Sequence, residues 1–322
     1  MAAAWEVHAP EIVDLRNLLP GDLEPLLAEE TDMWRRLLDW DFTSSANLVK
    51  KFVGLQGLNG HAMMINRHVV GYAYFVAEDR KGLIGDLFVS EPYATPENET
   101  RLLAEVIHSV VRFSNIHRVE SQLLMMRYPR RIPPPFADNL KIYERNFMVA
   151  DIGVQSPLLS GRGASKVHLV RWHDRYQEDV ARLISAAYRG HVDSNINDQY
   201  RSVPGARKFL SNIIQYPGCG SFFAPASWIA WDQDTGHICG ACLASLVSST
   251  TGHITQICVM PSLKGHGVGY ELIRNTLRSF ADYGCLKTTL TVTSINRDAI
   301  DLYERVGFRT LRQFSAMVWD GF

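Results

Sequence analysis

The sequence predicts a mixed α/β (α+β) fold built twice in tandem, and three observations carry that expectation. The chain has 322 residues, too many for one small core at roughly 100–200 residues per domain. From residue 166 onward the hydrophobic periodicity reads strand, two helices, three strands, a glycine-rich loop, helix, strand, helix and a closing strand pair or bent hairpin. The residues before 155 run through much the same order without the glycines.

In the first half, residues 12–20 read as a strand, 23–41 and 45–56 as two helices, and 61–67, 68–79 and 83–93 as three strands. Residues 100–115 carry apolar side chains at helical spacing, and 119–126 return to strand. The segment 140–152 matches 301–314 through a shared Tyr-Glu-Arg, at Tyr143-Glu144-Arg145 and Tyr303-Glu304-Arg305, 160 residues apart. A Gly- and Ser-rich stretch, 156–165, is the expected linker, giving domains at 1–155 and 166–322.

In the second half, 166–171 alternates as a strand. A helix follows over 176–188, with Val180, Leu183, Ile184 and Ala187 on one side, then a polar loop over 191–200. Pro204 opens a second helix, and 216–218 end it. Runs at 227–231, 237–249 and 253–261, joined by short turns, read as an antiparallel meander. The glycine loop at 262–269 leads into a helix stopped by Gly284. Residues 287–292 form a β-branched strand, 297–306 a short helix, and 308–319 the closing strands.

Composition narrows the function. Lys and Arg number 33 against 34 Asp and Glu, a net charge of -1, which leaves no electrostatic footprint for nucleic acid or an anionic membrane. No basic-then-apolar leader opens the chain and no run of about 20 apolar residues occurs, so a cytoplasmic protein is expected. The five cysteines are an odd number, all after residue 218, which fits reduced thiols better than a disulfide framework. Cys239 and Cys242 form a C-x-x-C inside a strand, where positions three apart face opposite sides, so no metal is expected there. The sequence leaves monomer and homodimer open.

The chemistry-bearing motif is Lys264-Gly265-His266-Gly267-Val268-Gly269, between a strand ending at Val259 and a helix N-terminus. Glycines let the backbone take positive φ and approach a ligand, and amides at a helix start favour a pyrophosphate. No Lys-Ser/Thr follows the last glycine, so it is not a Walker loop.

With this loop behind Val259-Met260-Pro261, and with Asn296, Ala299, Leu302, Tyr303, Gly307 and Phe308 at the spacing Asn-x-x-Ala-x-x-Leu-Tyr-x-x-x-Gly-Phe, residues 166–322 resemble the GCN5-related N-acetyltransferase (GNAT) superfamily. Lys264 departs from the usual Arg or Gln. The resemblance implies tandem acyl-CoA N-acyltransferase domains, the second catalytic. It implies that acetyl-CoA lies where two parallel strands splay, with residues 264–269, that is Lys264, Gly265, His266, Gly267, Val268 and Gly269, at the pyrophosphate. Ile257, Cys258 and Val259 would meet the pantetheine and thioester, and Asn296 and Ala299 the cofactor arm, with Asn296 also a helix-cap candidate. Tyr303 would be the general acid, and an amine would attack directly. The implied acceptor is a small-molecule amine or a protein amino group.

The base is open. His253 has a suitable ordinary pKa, and also reads as a surface histidine at a strand edge. His191 and Asp193 lie in the loop that would shape the acceptor pocket. Cys258 admits an acyl-cysteine route for a hydrolase, set aside because no paired base stands nearby in sequence. The first half offers Glu91, Glu97 and Glu99 with two prolines where the loop should be, so its cofactor site is expected to be lost. A non-catalytic CoA-binding or scaffold protein is the alternative to an enzyme.

Overall fold

The computed structural model describes residues 9–113, 115–153, 158–216 and 218–322. The chain's opening, the first two residues of the expected linker and the proline expected to help end the second helix of the second half lie outside them. The described chain folds as two compact units. The first holds residues up to Leu37, Phe42–Tyr143 and Phe314–Phe322; the second holds Leu38–Asp41 and Glu144–Gln313.

The first unit contains β1 (Glu11–Asp14), α1 (Pro20–Leu38, all but its last residue), α2 (Thr43–Gly54), β2 (Asn59–Ile65), β3 (His68–Glu78), β4 (Lys81–Val89), α3 (Pro96–Val111) and β5 (Arg118–Gln122). Then comes β6 (Leu140–Asp151), which passes from the first unit into the second at Glu144. The second unit continues with β7 (Val167–Arg171), α4 (Gln177–Ala187), a short α5 (Asp193–Ile196), α6 (Val203–Gln215) and β8 (Ser221–Phe222). It goes on through β9 (Trp228–Asp232), β10 (Ile238–Leu246), β11 (Thr251–Val259), α7 (Val268–Tyr283), β12 (Lys287–Thr293) and α8 (Arg297–Arg305). The last strand, β13 (Arg309–Asp320), passes back into the first unit at Phe314.

Each unit is thus closed by a strand from the other half of the chain. β6 runs antiparallel to β12, with Arg145 opposite Thr293, and β13 runs antiparallel to β5, with Trp319 opposite Val119. Two sequence expectations change here. Residues 309–320 are one continuous strand rather than a pair or hairpin. Tyr143-Glu144-Arg145 sits in strand β6 whereas Tyr303-Glu304-Arg305 sits in helix α8, so the shared triplet does not mark equivalent positions. The two units are alike in other places. In both units a parallel strand pair is registered over four residues, Lys81–Ile84 with 118–121 and Thr251–Ile254 with 287–290. The second residue of each run is a glycine pressed beneath the long helix. A Cβ on Gly82 would meet Val110 Cγ1 at 2.3 Å, and one on Gly252 would meet the Phe280 ring at 2.5 Å. The fourth residue of each long helix is a glutamate 1% exposed, Glu99 in α3 and Glu271 in α7.

Amphipathic spacing explains the packing. Leu102, Leu103, Val106, Ile107 and Val110 of α3 are buried on their sheet, as Leu272, Ile273, Leu277 and Phe280 of α7 are on theirs. Cys239 and Cys242 belong to the same α7-facing core rather than to opposite faces. The register shift between Ile238 and Gly240 adds one residue to the strand and breaks its alternation. The described part of the expected linker is folded: Glu271 accepts from the Gly161 amide and Tyr270 Oη donates to Leu159 O.

Candidate active site

The second unit's sheet opens in front of α7. β11 and β12 pair only as far as Ile254 and Leu290, although β11 continues to Val259 and β12 to Thr293. Past that point β11 keeps its antiparallel partner β10 on one side, through Ile257 opposite Cys242 and Val259 opposite Gly240. Among the described residues no strand pairs with its other edge there.

The glycine loop closes one end of this opening. Gly265 and Gly267 have φ of 75° and 88°, the left-handed region where a side chain is strained. Gly267 is the N-cap of α7 and supplies no side-chain cap, so the first-turn amides of Val268, Gly269 and Tyr270 have no helical or capping partner among the described residues. Gly269 serves packing: a Cβ there would lie 3.3 Å from Leu302 Cδ2 of α8. Lys264 and His266 are exposed, and Val268 is buried in the core, so only its backbone faces the loop.

Tyr303 of α8 is 6% exposed and packs against the Phe308 ring at 5.9 Å. Its hydroxyl makes no hydrogen bond among the described residues. Burial pushes the phenol above its ordinary pKa, with Cys242 and Asp193 adding to the rise and Arg145 opposing it. A group so shifted stays protonated at neutral pH. Asn296, expected to cap α8, makes no side-chain cap; its Nδ2 lies 3.3 Å from His191 Nε2. Ala299 is half-buried against the core.

On the α4–α6 side, short helical turns replace the expected open loop at 193–201. His191 Nδ1 accepts from the Asp193 amide at 3.2 Å, and Thr293 Oγ1 donates to Asp193 Oδ1. Burial lowers the His191 pKa; Asp193 works against this, while the Lys264 and Arg145 charges add to it. Gln256 Nε2 donates to Tyr188 Oη at 2.8 Å, Tyr188 Oη donates to Ile257 O at 3.3 Å, and the Tyr188 and Tyr200 rings stack at 4.5 Å. Gln256 stands with His253 on the strand before the loop, where a base is sought, whereas Tyr188 and Tyr200 carry no spacing in the sequence that links them to the site.

Two expected residues behave differently. His253 is a core residue, 5% exposed, not a surface one. Its Nδ1 is 2.9 Å from Thr289 Oγ1, and its ring is covered by Trp40 and Phe147 at 5.0 and 6.2 Å. Burial alone pushes its pKa down to about 3. It sits on the stretch of β11 that is paired with β12, opposite Thr289, and not on the free stretch beyond Ile254. Cys258 is buried on the α4 side and its thiol is pushed up to about 12 by burial, so it carries no thiolate for an acyl-cysteine route. Ile257 and Val259 are half-buried against the α7-side core. Among the described residues no group of three His, Cys, Asp or Glu forms a metal cluster, and no helix is long and apolar enough to cross a membrane.

The loop, opening and tyrosine lie within or beside the stretch that known proteins share. Residues 194–308 match the Acetyltransferase (GNAT) family, and the chain carries a domain of that family there. A thialysine N-epsilon-acetyltransferase from Sus scrofa is 32% identical over 80 residues, covering 24% of this chain and 46% of that protein. The chain spans less than half the length of the curated relatives it matches. A GCN5-related N-acetyltransferase structure from Sphaerobacter thermophilus superposes with a TM-score of 0.69 at 13% identity, over 97% of this chain and 95% of that one. A tandem GNAT protein from the clavulanic acid biosynthesis pathway gives 0.59 at 15% identity, over 97% and 98%. The fold is therefore the GNAT fold across nearly the whole chain.

Proposed function

We propose that the chain is an acetyl-CoA-dependent N-acetyltransferase whose chemistry belongs to residues 166–322, with 1–155 a degenerate copy. The observation that carries it is the parting of β11 from β12 beyond Ile254, directly before a helix opened by positive-φ glycines with no side-chain cap. Bound there, acetyl-CoA supplies the activated acetyl group. The amides from Gly265 to Gly269 would hold its pyrophosphate, with Lys264 adding charge. The free edge of β11 at Ile257–Val259 would pair with the pantetheine arm and offer an amide to the thioester oxygen. Asn296 and Ala299 would border that arm.

An acceptor amine would form the new C–N bond as the C–S bond breaks. Tyr303 would give its proton to the departing thiolate, a role its unpartnered hydroxyl leaves it free to play. The amine's proton must go elsewhere. With His253 enclosed in the core, His191 and Asp193 are the better-placed acceptors, directly or through water, and they would also border the acceptor. Small-molecule amines and protein amino groups both remain acceptor classes for this chemistry.

The test is CoA release with a panel of amines for wild type and Tyr303→Phe. A fall in kcat of about 100-fold or more, with acetyl-CoA affinity unchanged, is expected from loss of a general acid. An unchanged kcat would remove Tyr303 from the mechanism. Tight acetyl-CoA binding with no turnover on any amine would favour a non-catalytic binding protein instead.

A further inference from the structure

One charged side chain of the second unit is left without a counter-charge. Arg145, on β6, is 9% exposed, yet its guanidinium has no ion-pair partner among the described residues. Nη2 donates to Thr291 Oγ1 at 3.3 Å, while Nε is buried with no hydrogen-bond partner among the described residues. Taking a cation out of water costs several kcal/mol unless a partner repays it. Here one N–H of a planar, five-donor group is desolvated and unused.

Its placement says what would use it. Arg145 stands opposite Thr293, whose hydroxyl holds Asp193. The Arg145 and Asp193 charges both act on His191, Tyr200 and Tyr303, which groups the five residues on the geometry of the Arg145–Thr293 pair and the Thr293–Asp193 hydrogen bond. Asp193 lies there with one carboxylate oxygen on Thr293 and the other 4.0 Å from His191 Nδ1. This group of residues therefore presents an anion and an unpaired cation near a phenol that can donate a proton. A molecule that satisfies both carries an amine and a carboxylate together. A guanidinium fork matches the two oxygens of a carboxylate in a way a carbonyl or hydroxyl does not.

We propose that the acceptor is an amino acid, its carboxylate clamped by Arg145 while its amine lies between Asp193 and Tyr303. This rests on the acetyltransferase reading for the amine, and on Arg145 alone for the carboxylate. The bond changes are those of the transfer already described; Arg145 acts only on binding and orientation.

The experiment has two arms. In the first, acetyl transfer is measured for a set of free amino acids and their matching carboxamides, with wild type, Arg145→Lys and Arg145→Gln. Wild type is expected to prefer the acids by about 30-fold or more in kcat/KM, the preference appearing in KM, falling in Arg145→Lys and vanishing in Arg145→Gln. Equal use of carboxamides, or a preference that survives Arg145→Gln, overturns the proposal. The second arm needs no turnover. Calorimetric binding of the corresponding N-acetyl amino acids and N-acetyl amino acid amides is measured on the same proteins. Binding of the acids alone, lost in Arg145→Gln, supports the clamp even if no acetyl transfer is found; binding of neither overturns it. Arg145→Met separates this from a structural role. Removing an unpaired buried cation should leave the melting temperature unchanged or higher, whereas a marked drop would mark Arg145 as part of the scaffold and overturn the assignment.

Discussion

The long helices of the two units, α3 and α7, begin differently on the same frame. Each follows a strand that runs past its parallel partner, and each buries a glutamate at its fourth residue. At α7 the N-cap is Gly267, and nothing from its own side chain occupies the first-turn amides. At α3 the N-cap is Thr95, whose Oγ1 accepts from the Asn98 amide at 3.2 Å, and Pro96 takes the first helical position without an N–H to offer. The buried glutamates diverge too. Glu271 takes the Gly161 amide and Arg274, while Glu99 takes the Arg127 and Tyr128 amides and fastens the segment after β5, where Leu123, Met125 and Met126 are buried. The first unit keeps the splayed strands and satisfies its own helix start. The difference teaches that two helices on like frames part in what their starts leave uncapped, which is where the proposed anion site is tested.

The largest test of this contrast is Gly267→Glu. It puts a carboxylate at the helix start, forces a side chain into φ of 88°, and sets Cβ 2.9 Å from Gly163 N. Acetyl-CoA affinity should fall by more than about 100-fold, while Thr95→Gly in the first unit should leave it unchanged; both are read by calorimetry.

The next effect concerns pH, and the two units should respond in opposite directions. His253 binds a proton less readily folded, at about 3, than unfolded, at about 6.5. The second unit should therefore lose stability as pH falls below about 6.5, by up to about 1.4 kcal/mol per unit. In the first unit Glu30 and Asp86 are buried together, with Trp34 Nε1 and Tyr72 Oη donating to Glu30 at 3.1 and 2.8 Å. Burial holds Glu30 well above the carboxyl range, Asp86 adding to the rise, and pushes Asp86 to about 6. These groups bind protons more readily folded, so the first unit should lose stability as pH rises from about 4 through 6. Hydrogen-exchange protection of β3 against β11 between pH 4.5 and 7, corrected for intrinsic rates, should show slopes of opposite sign. Glu30→Gln should flatten the first and His253→Gln the second; parallel slopes in the wild type would dissolve the contrast.

A smaller effect follows from Glu99→Gln, which keeps one amide acceptor but loses the charge. The first unit should lose about 1–3 kcal/mol in urea unfolding, with acetyl-CoA binding untouched. Smallest of all, Gly265→Ala meets nothing within 4 Å and pays only for φ of 75°. It should cost about 1 kcal/mol in stability and a few-fold in acetyl-CoA affinity.

The local features were legible in the sequence. Glycines at 265, 267 and 269 and the run from Asn296 to Phe308 announced the loop and α8, because short-range backbone requirements leave their mark at fixed spacing. The exchange of β6 and β13 was not legible, since strand partners this far apart in sequence, such as Arg145 with Thr293 and Val119 with Trp319, leave no periodic trace. Nor was Arg145, which reads as one charge in an alternating strand until β12 shows what faces it. The burial of His253 is not legible either, because its cover, Trp40, comes from a distant turn between α1 and α2. Cys239 defied its expected face because a bulge has no sequence signature here.

The most direct measurement is the stoichiometry of acetyl-CoA by isothermal titration on the full chain and on Gly267→Glu. One molecule bound per chain, reduced to none by that substitution, is expected if only the uncapped helix of the second unit holds the cofactor. Two molecules per chain, or one that persists in Gly267→Glu, would contradict it.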